Sequence, residues 1–182
     1  FLDQQGEQLL VDAYMFEGDG RATWYSGVLR NTMPSIASLY GGDLLRYTGG
    51  QSLSGTWRAP TSSNEARAVN IQFVSPTRGY LEGYTLDGYP IAIAIERFAA
   101  SGDAAQPSAA RFQSGMWWSE TESGRGYVVD VQGSTVLFGA FMYNDAGRPV
   151  WHVATAPLTS PDGFVAELQQ MQGGQTLRGG WR

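Results

Sequence analysis

Residues 115–133 read GMWWSETESGRGYVVDVQG. A tryptophan pair, Trp117 and Trp118, leads into an acidic, glycine-rich turn that carries one arginine, Arg125. The chain then continues from Tyr127 into an alternation of apolar and polar residues, the period of a half-buried strand. Strand, turn and strand within nineteen residues is the pattern that decides the fold, because pieces of it, or of the hairpin after it, recur elsewhere.

Shifting the N-terminus by 127 places lays FLDQQGEQLLVDAYMFEGDGRATW on VVDVQGSTVLFGAFMYNDAGRPVW. Asp3/Asp130, Gly6/Gly133, Met15/Met142, Gly20/Gly147, Arg21/Arg148 and Trp24/Trp151 are among the identical pairs. Further on the offset falls to 124, where GGQSLSGTWR (49–58) matches GGQTLRGGWR (173–182) at seven of ten places. Similarity at a fixed offset is the mark of a repeat architecture, in which each copy is one supersecondary unit. A fainter period of about 60 is suggested by Gly-x-Trp at 55–57, 115–117 and 179–181.

Strand signals dominate the rest. Val69, Ile71 and Phe73 alternate with Asn70 and Gln72, predicting one buried and one wet face. Val136–Tyr143 is apolar throughout and predicts a central strand. Glu17–Gly20, Leu86–Gly88 and Asn144–Gly147 are hairpin turns, each ending on a glycine that tolerates positive φ. About fourteen candidate strands emerge on this reading. Phe164–Met171 is the one stretch equally open to a helix. The expectation is therefore an all-β, antiparallel meander built from internal repeats, arranged as a barrel or as packed sheets.

Ala99–Ala110 contains no large side chain and reads as a linker or crossover. It separates an expected lobe at 1–98 from a second at 111–182. By the repeat alignment, the first copy lacks its opening strand and the second its closing strands. Such ends expose unpaired edges, which are prone to association. The partial copies can complete one another within the chain, strands can come from a second molecule, or the chain is a fragment. Gly179–Trp181 is the expected filler of the gap before Phe1.

Composition narrows the function. The formal charge of −5 argues against nucleic acid as partner. All twelve cationic residues are arginine, and there is no cysteine, hence no disulfide or zinc–thiolate site. No apolar run is long enough for a membrane-spanning helix. Mean hydropathy of −0.25 and Gly/Ser/Gln-rich stretches argue against an outer-membrane barrel.

The motif WWSETESGRGYVVDVQG followed by FMYNDAGRPVW resembles a Trp-rich repeat of exported proteobacterial proteins. That repeat has an E-S-G-R-G-[FY] turn, a D-x-x-G-x-P-x-W hairpin and no established activity. The match covers Gly115–Trp151 well. Phe1–Trp24 matches only from after the turn and has Ala22 and Thr23 where the second copy has Pro149 and Val150. The resemblance implies export, to the periplasm, cell surface or exterior. Phe1 opens inside a strand-like pattern, consistent with a processed or trimmed chain.

Each chemical candidate has a structural counterpart. Trp117, Trp118 and Trp151 suit a flat platform for a sugar. Adjacent residues of a strand point to opposite faces, so at most one of the pair belongs to a core facing one side; the structural reading buries both. Glu120 and Glu122 are the pair that a hydrolase would use, but two acids on one turn do not flank a bond. Arg125 bridging a carboxylate or free carbonyls is the structural reading. His152 lacks a nucleophile elbow, although Asp130 or Asp145 would be its orienting acid. Asn144, Asp145 and Asp162 form no calcium-loop pattern. The resulting expectation is a non-catalytic exported module that binds a glycan or protein ligand through Trp118, Arg125, Tyr127 and Trp151. It has no assigned catalytic residue, metal or cofactor. A self-assembling protein joined through unpaired edges is one alternative, with copies of itself as partner. A hydrolase using Glu120 and Glu122 is the other.

Overall fold

The computed structural model describes residues 1–33, 35, 38–99 and 108–177. Strands hold 59% of the chain and helix only 2%, so its cores are built from sheet faces. Seven strands form one antiparallel sheet in chain order: β1 (Leu2–Gln5), β2 (Gln8–Phe16), β3 (Ala22–Asn31), β4 (Leu39–Thr48), β5 (Thr61–Ser75), β6 (Arg78–Thr85) and β7 (Pro90–Glu96). The second sheet follows the order β12–β11–β10–β9–β8. Its members are β8 (Gly115–Trp117), β9 (Gly126–Gln132), β10 (Thr135–Tyr143), β11 (Pro149–Ser160) and β12 (Gly163–Phe164); β13 (Gln169–Gln170) pairs with β11. One of the two sheets curls into a half-barrel.

The meander follows from turn chemistry. Gly20, Gly88 and Gly147 close their hairpins with φ of 83°, 82° and 75°, a region that costs an L side chain about 1–2 kcal/mol. Val69 and Ile71 are fully buried while Gln72 is exposed, so the alternation written in β5 is the alternation of its faces. The register slips between Arg67 and Asn70, where Ala68 takes φ 50° and its amide donates to Asp43 Oδ1 at 3.2 Å. At this bulge a side chain takes the place of the ladder partner for the Ala68 amide. Phe164–Met171, open to helix or strand in the sequence, forms no helix. Phe164, Gln169 and Gln170 join the ladder, the Met171 amide donates to Trp151 O at 3.3 Å, and Val165 is 80% exposed.

The chain divides into two compact units. Unit 1 comprises Phe1–Tyr47, Thr61–Arg97 and the segment from Gln172; unit 2 comprises Thr48–Pro60 and Phe98–Met171. The lobes expected from the sequence, 1–98 and 111–182, are continuous; the compact units are not. In unit 1 the core gathers Leu9, Val11, Leu29, Leu44, Val69 and Ile71 on one sheet face, with Leu177 against them. In unit 2 Val129, Val131 and Val136 form one cluster and Ala140, Met142 and Val150 another. Most of the expected linker, 100–107, and the expected gap-filler Gly179–Trp181 lie outside the described residues.

Pairing follows the sequence offsets closely. On β3 and β4, Tyr25 faces Arg46, Ser26 faces Leu45 and Asn31 faces Tyr40. On β11 with β13 and β12, His152 faces Gln170, Val153 faces Gln169 and Leu158 faces Phe164. Each second set is the first moved by 127 on one strand and by 124 on the other.

Candidate ligand surface at the Gly115–Gly133 turn

β8 pairs with β9 through Gly115–Val129, Met116–Val128 and Trp117–Tyr127. The chain leaves β8 at Trp118, makes a single 3₁₀ turn at Glu120–Glu122, and re-enters the sheet at Gly126. Two glycines are required on the way back. Gly124 has φ 99°, and a Cβ there would stand 2.5 Å from Pro60 Cγ; a Cβ on Gly126 would stand 2.3 Å from the Phe141 ring. Both approaches are far inside van der Waals contact.

The floor of this turn comes from residues 48–60, which belong to the same unit. Gln51, 1% exposed, donates from Nε2 to Glu122 O at 3.3 Å. Arg125 pairs with the Glu122 carboxylate and donates to Leu53 O at 2.8 Å and Ser52 O at 3.4 Å. Trp57 Nε1 donates to Ser123 O at 3.3 Å, and Arg58 Nη2 to Gly50 O at 2.8 Å. A guanidinium that serves two carbonyls and a carboxylate is a strut, since its fork fixes three groups at once.

Three indoles stand out from this scaffold. Trp118 is 61% exposed, Trp117 48% and Trp57 47%. Burial of both members of the pair is thus corrected: Trp118 lies beyond the end of β8, and Trp117 sits on its outermost pair. Trp117 Nε1 donates to Gln113 O at 3.2 Å, which fixes the ring while leaving its body in solvent.

The four residues chosen from the sequence do not converge. Trp118 is exposed, whereas Arg125 is committed to the turn. Tyr127 is half-buried and stacks on Phe138 with centroids 5.9 Å apart. Trp151 is buried and lines an open groove of about 530 Å³ with Phe98, Leu137, Val153, Glu167, Gln169 and Met171. Tyr127 faces Ala140, which faces His152, so Trp151 beside it points to the opposite side of the sheet. Trp57 and Leu53, the latter 52% exposed, were not singled out. Their signal lay in the Gly-x-Trp and GGQ similarities, which say that a segment recurs but not where it docks.

The acids and the histidine make no catalytic arrangement among the described residues. Glu122 is held by Arg125, and Glu120 is exposed on the same short turn. Asp130 accepts from Gln132 Nε2 at 2.7 Å and faces Leu137, which faces Thr155. Three residues from Thr155, His152 therefore occupies the other side of β11. Burial holds its imidazole below the ordinary value. Asn144 Oδ1 accepts from the Arg148 amide at 3.0 Å, and Asp162 pairs with Arg111 at 3.0 Å. No group of three or more His, Cys, Asp or Glu gathers among the described residues. Nor is any helix among them long and apolar enough to cross a membrane.

Comparison with known protein families, with curated proteins and with solved structures finds no match in any of the three.

Proposed function

We propose that this chain is an exported, non-catalytic β-repeat protein that binds a glycan through the tryptophans around the 118–126 turn. The observation that carries the reading is that Trp57, Trp117 and Trp118 are each about half exposed or more, on or against one turn braced by Arg125. Exposed indoles on a rigid backing lose little conformational entropy on binding and offer flat faces to apolar sugar surfaces. The likeness of 115–151 to the Trp-rich exported repeat supports the compartment. A protein ligand is the other occupant of the same surface, because tryptophan and arginine also anchor protein interfaces.

The test is a glycan array probed with the full chain, repeated with Trp118→Ala. Retention of the wild-type chain on a defined glycan set, lost on substitution, is expected. Equal retention of both chains would remove Trp118 from the site, and a blank array with capture of a protein partner would replace the ligand class.

Assembly through strand edges is the second reading, and sheet order favours it: β1 and β7 end the seven-stranded sheet. An edge strand presents a row of backbone donors and acceptors to a second molecule. Light scattering across a concentration series tests it, and a monomer at every concentration would exclude it.

A further inference from the structure

The same three contacts occur once in each unit. In unit 2, Gly49 N donates to Gly147 O at 2.8 Å, and Tyr143 N donates to Gln51 O at 3.2 Å. In unit 1, Gly173 N donates to Gly20 O at 3.0 Å, and Phe16 N donates to Gln175 O at 3.0 Å. The third contact is steric. A Cβ on Gly50 would stand 2.2 Å from the Tyr143 ring, and one on Gly174 would stand 2.4 Å from the Phe16 ring. All these partner pairs are related by the offsets of 127 on the hairpin and 124 on the segment.

The chemistry explains why the segment reads Gly-Gly-Gln twice. The first glycine has φ 85° at Gly49 and 69° at Gly173, which L side chains rarely adopt. The second lies flat against an aromatic ring and has no room for a Cβ. The glutamine accepts from the backbone of the strand that carries the ring, so it extends the ladder by one bond. In unit 2 Arg58 closes the arrangement by donating to Gly50 O and to Asp145 O.

Each segment also follows a strand of the other unit: residue 49 leaves β4 of unit 1, and residue 173 follows β13 of unit 2. We infer that each hairpin tip is a docking site for a Gly-Gly-Gln segment, and that a second copy of this chain supplies that segment in strand-exchanged dimers. A segment from another molecule makes the same bonds as the chain's own, so the bonding terms of monomer and dimer cancel. What remains is the entropy of association against a tethered segment whose effective concentration is in the millimolar range. Exchange therefore belongs to crowded chains and to refolding, when tips and segments are free together. The segment 49–58 also carries Trp57 and the carbonyls that hold Arg125, so it shares residues with the aromatic surface proposed above; the docking site is distinct from the terminal strands β1 and β7.

The test mixes two forms of the full chain, one affinity-tagged and one fluorescent, unfolded together and refolded at about 10 µM and about 1 mM, concentrations chosen to span the tethered regime. Size-exclusion chromatography with light scattering reads the mixed dimer. The dimer fraction is expected to rise several-fold at the higher concentration. A synthetic peptide of residues 49–58 added during refolding is expected to lower it about fivefold or more by occupying the tips. The same peptide carrying Gly50→Val is expected to leave it unchanged. Absence of a dimer at both concentrations overturns the inference. A dimer indifferent to the native peptide, or equally suppressed by both peptides, overturns it as well, the former assigning the dimer to strand edges.

Discussion

Asp12 lies on β2 with 1% of its surface exposed, directly opposite Ser26 on β3. Neither carboxylate oxygen meets a hydrogen-bond donor at full geometry, and burial raises its pKa from 3.8 to about 6, with Asp3 adding to the rise and the Ser26 hydroxyl and the Phe1 ammonium offsetting it in part. The folded chain thus holds this proton more tightly than the unfolded chain. Well below pH 3.8 both states are protonated and ionisation of the group costs nothing. As pH rises towards 6 the unfolded state releases the proton first and stability falls, by roughly 3 kcal/mol once both are ionised. Asp12→Asn is therefore expected to raise the urea midpoint at pH 7.5, by an amount worth about 1–3 kcal/mol, and to leave it nearly unchanged at pH 4. Equal effects at both pH values would show that ionisation is not the source of the cost. The tryptophans separate at the same scale. Trp118→Ala is expected to change stability by less than about 0.5 kcal/mol, because the ring is in solvent. Trp151→Ala, which empties a buried site, is expected to cost about 3–5 kcal/mol. Paired thermal melts decide, and a large loss from Trp118→Ala would mean that the exposed ring serves stability.

The turn from 118 to 126 is held by its neighbours more than by itself, since a three-residue 3₁₀ turn has no buried residue of its own. Arg125 replaces that missing core, with its side chain only 15% exposed. Arg125→Ala leaves Leu53 O and Ser52 O without this donor and Glu122 without its partner, an expected loss of about 1–3 kcal/mol by urea unfolding. Arg125→Lys is expected to recover only part of it, because an ammonium cannot fork between carboxylate and carbonyl. Full recovery by lysine would reduce the residue's role to charge. The strands and hairpins were legible because their causes are local. The alternation in β5 and the glycines at 20, 88 and 147 state their own geometry. The binding candidates were only partly legible. The exposure of Trp118 follows from its place past a strand end, but Trp151 and Tyr127 fall on opposite faces once the register is set, and a list of aromatics does not contain that register. The segments 49–58 and 173–182 were recognisable as equivalents. Two equivalent segments facing two equivalent hairpins leave the local sequence unable to say which pairs with which.

At the scale of the molecule, the exchanged segments give the units an uncommon dependence on one another. Unit 2 takes from residues 48–60 the backbone bonds of Gly49 and Gln51, the Trp57 bond to Ser123 and the carbonyls that anchor Arg125. Unit 1 takes from residues after 171 the bonds of Gly173 and Gln175 and the buried Leu177. Contiguous lobes tied only by 99–110 would part once that connection was cut. A chain with reciprocal exchange stays joined, because each half still carries a segment docked in the unit of the other. Inserting a protease site between Ser101 and Gly102 and cleaving the folded protein is therefore expected to give two fragments that co-elute as one species in native buffer. They are expected to separate only in denaturant. Co-elution has a measurable extent, since losing the covalent link replaces a millimolar effective concentration by the bulk one. Dilution of the cleaved protein should reach a point of dissociation that the intact chain never shows. Separation at once, at micromolar concentration and without denaturant, would mean that the exchanged segments contribute too little to hold the units together.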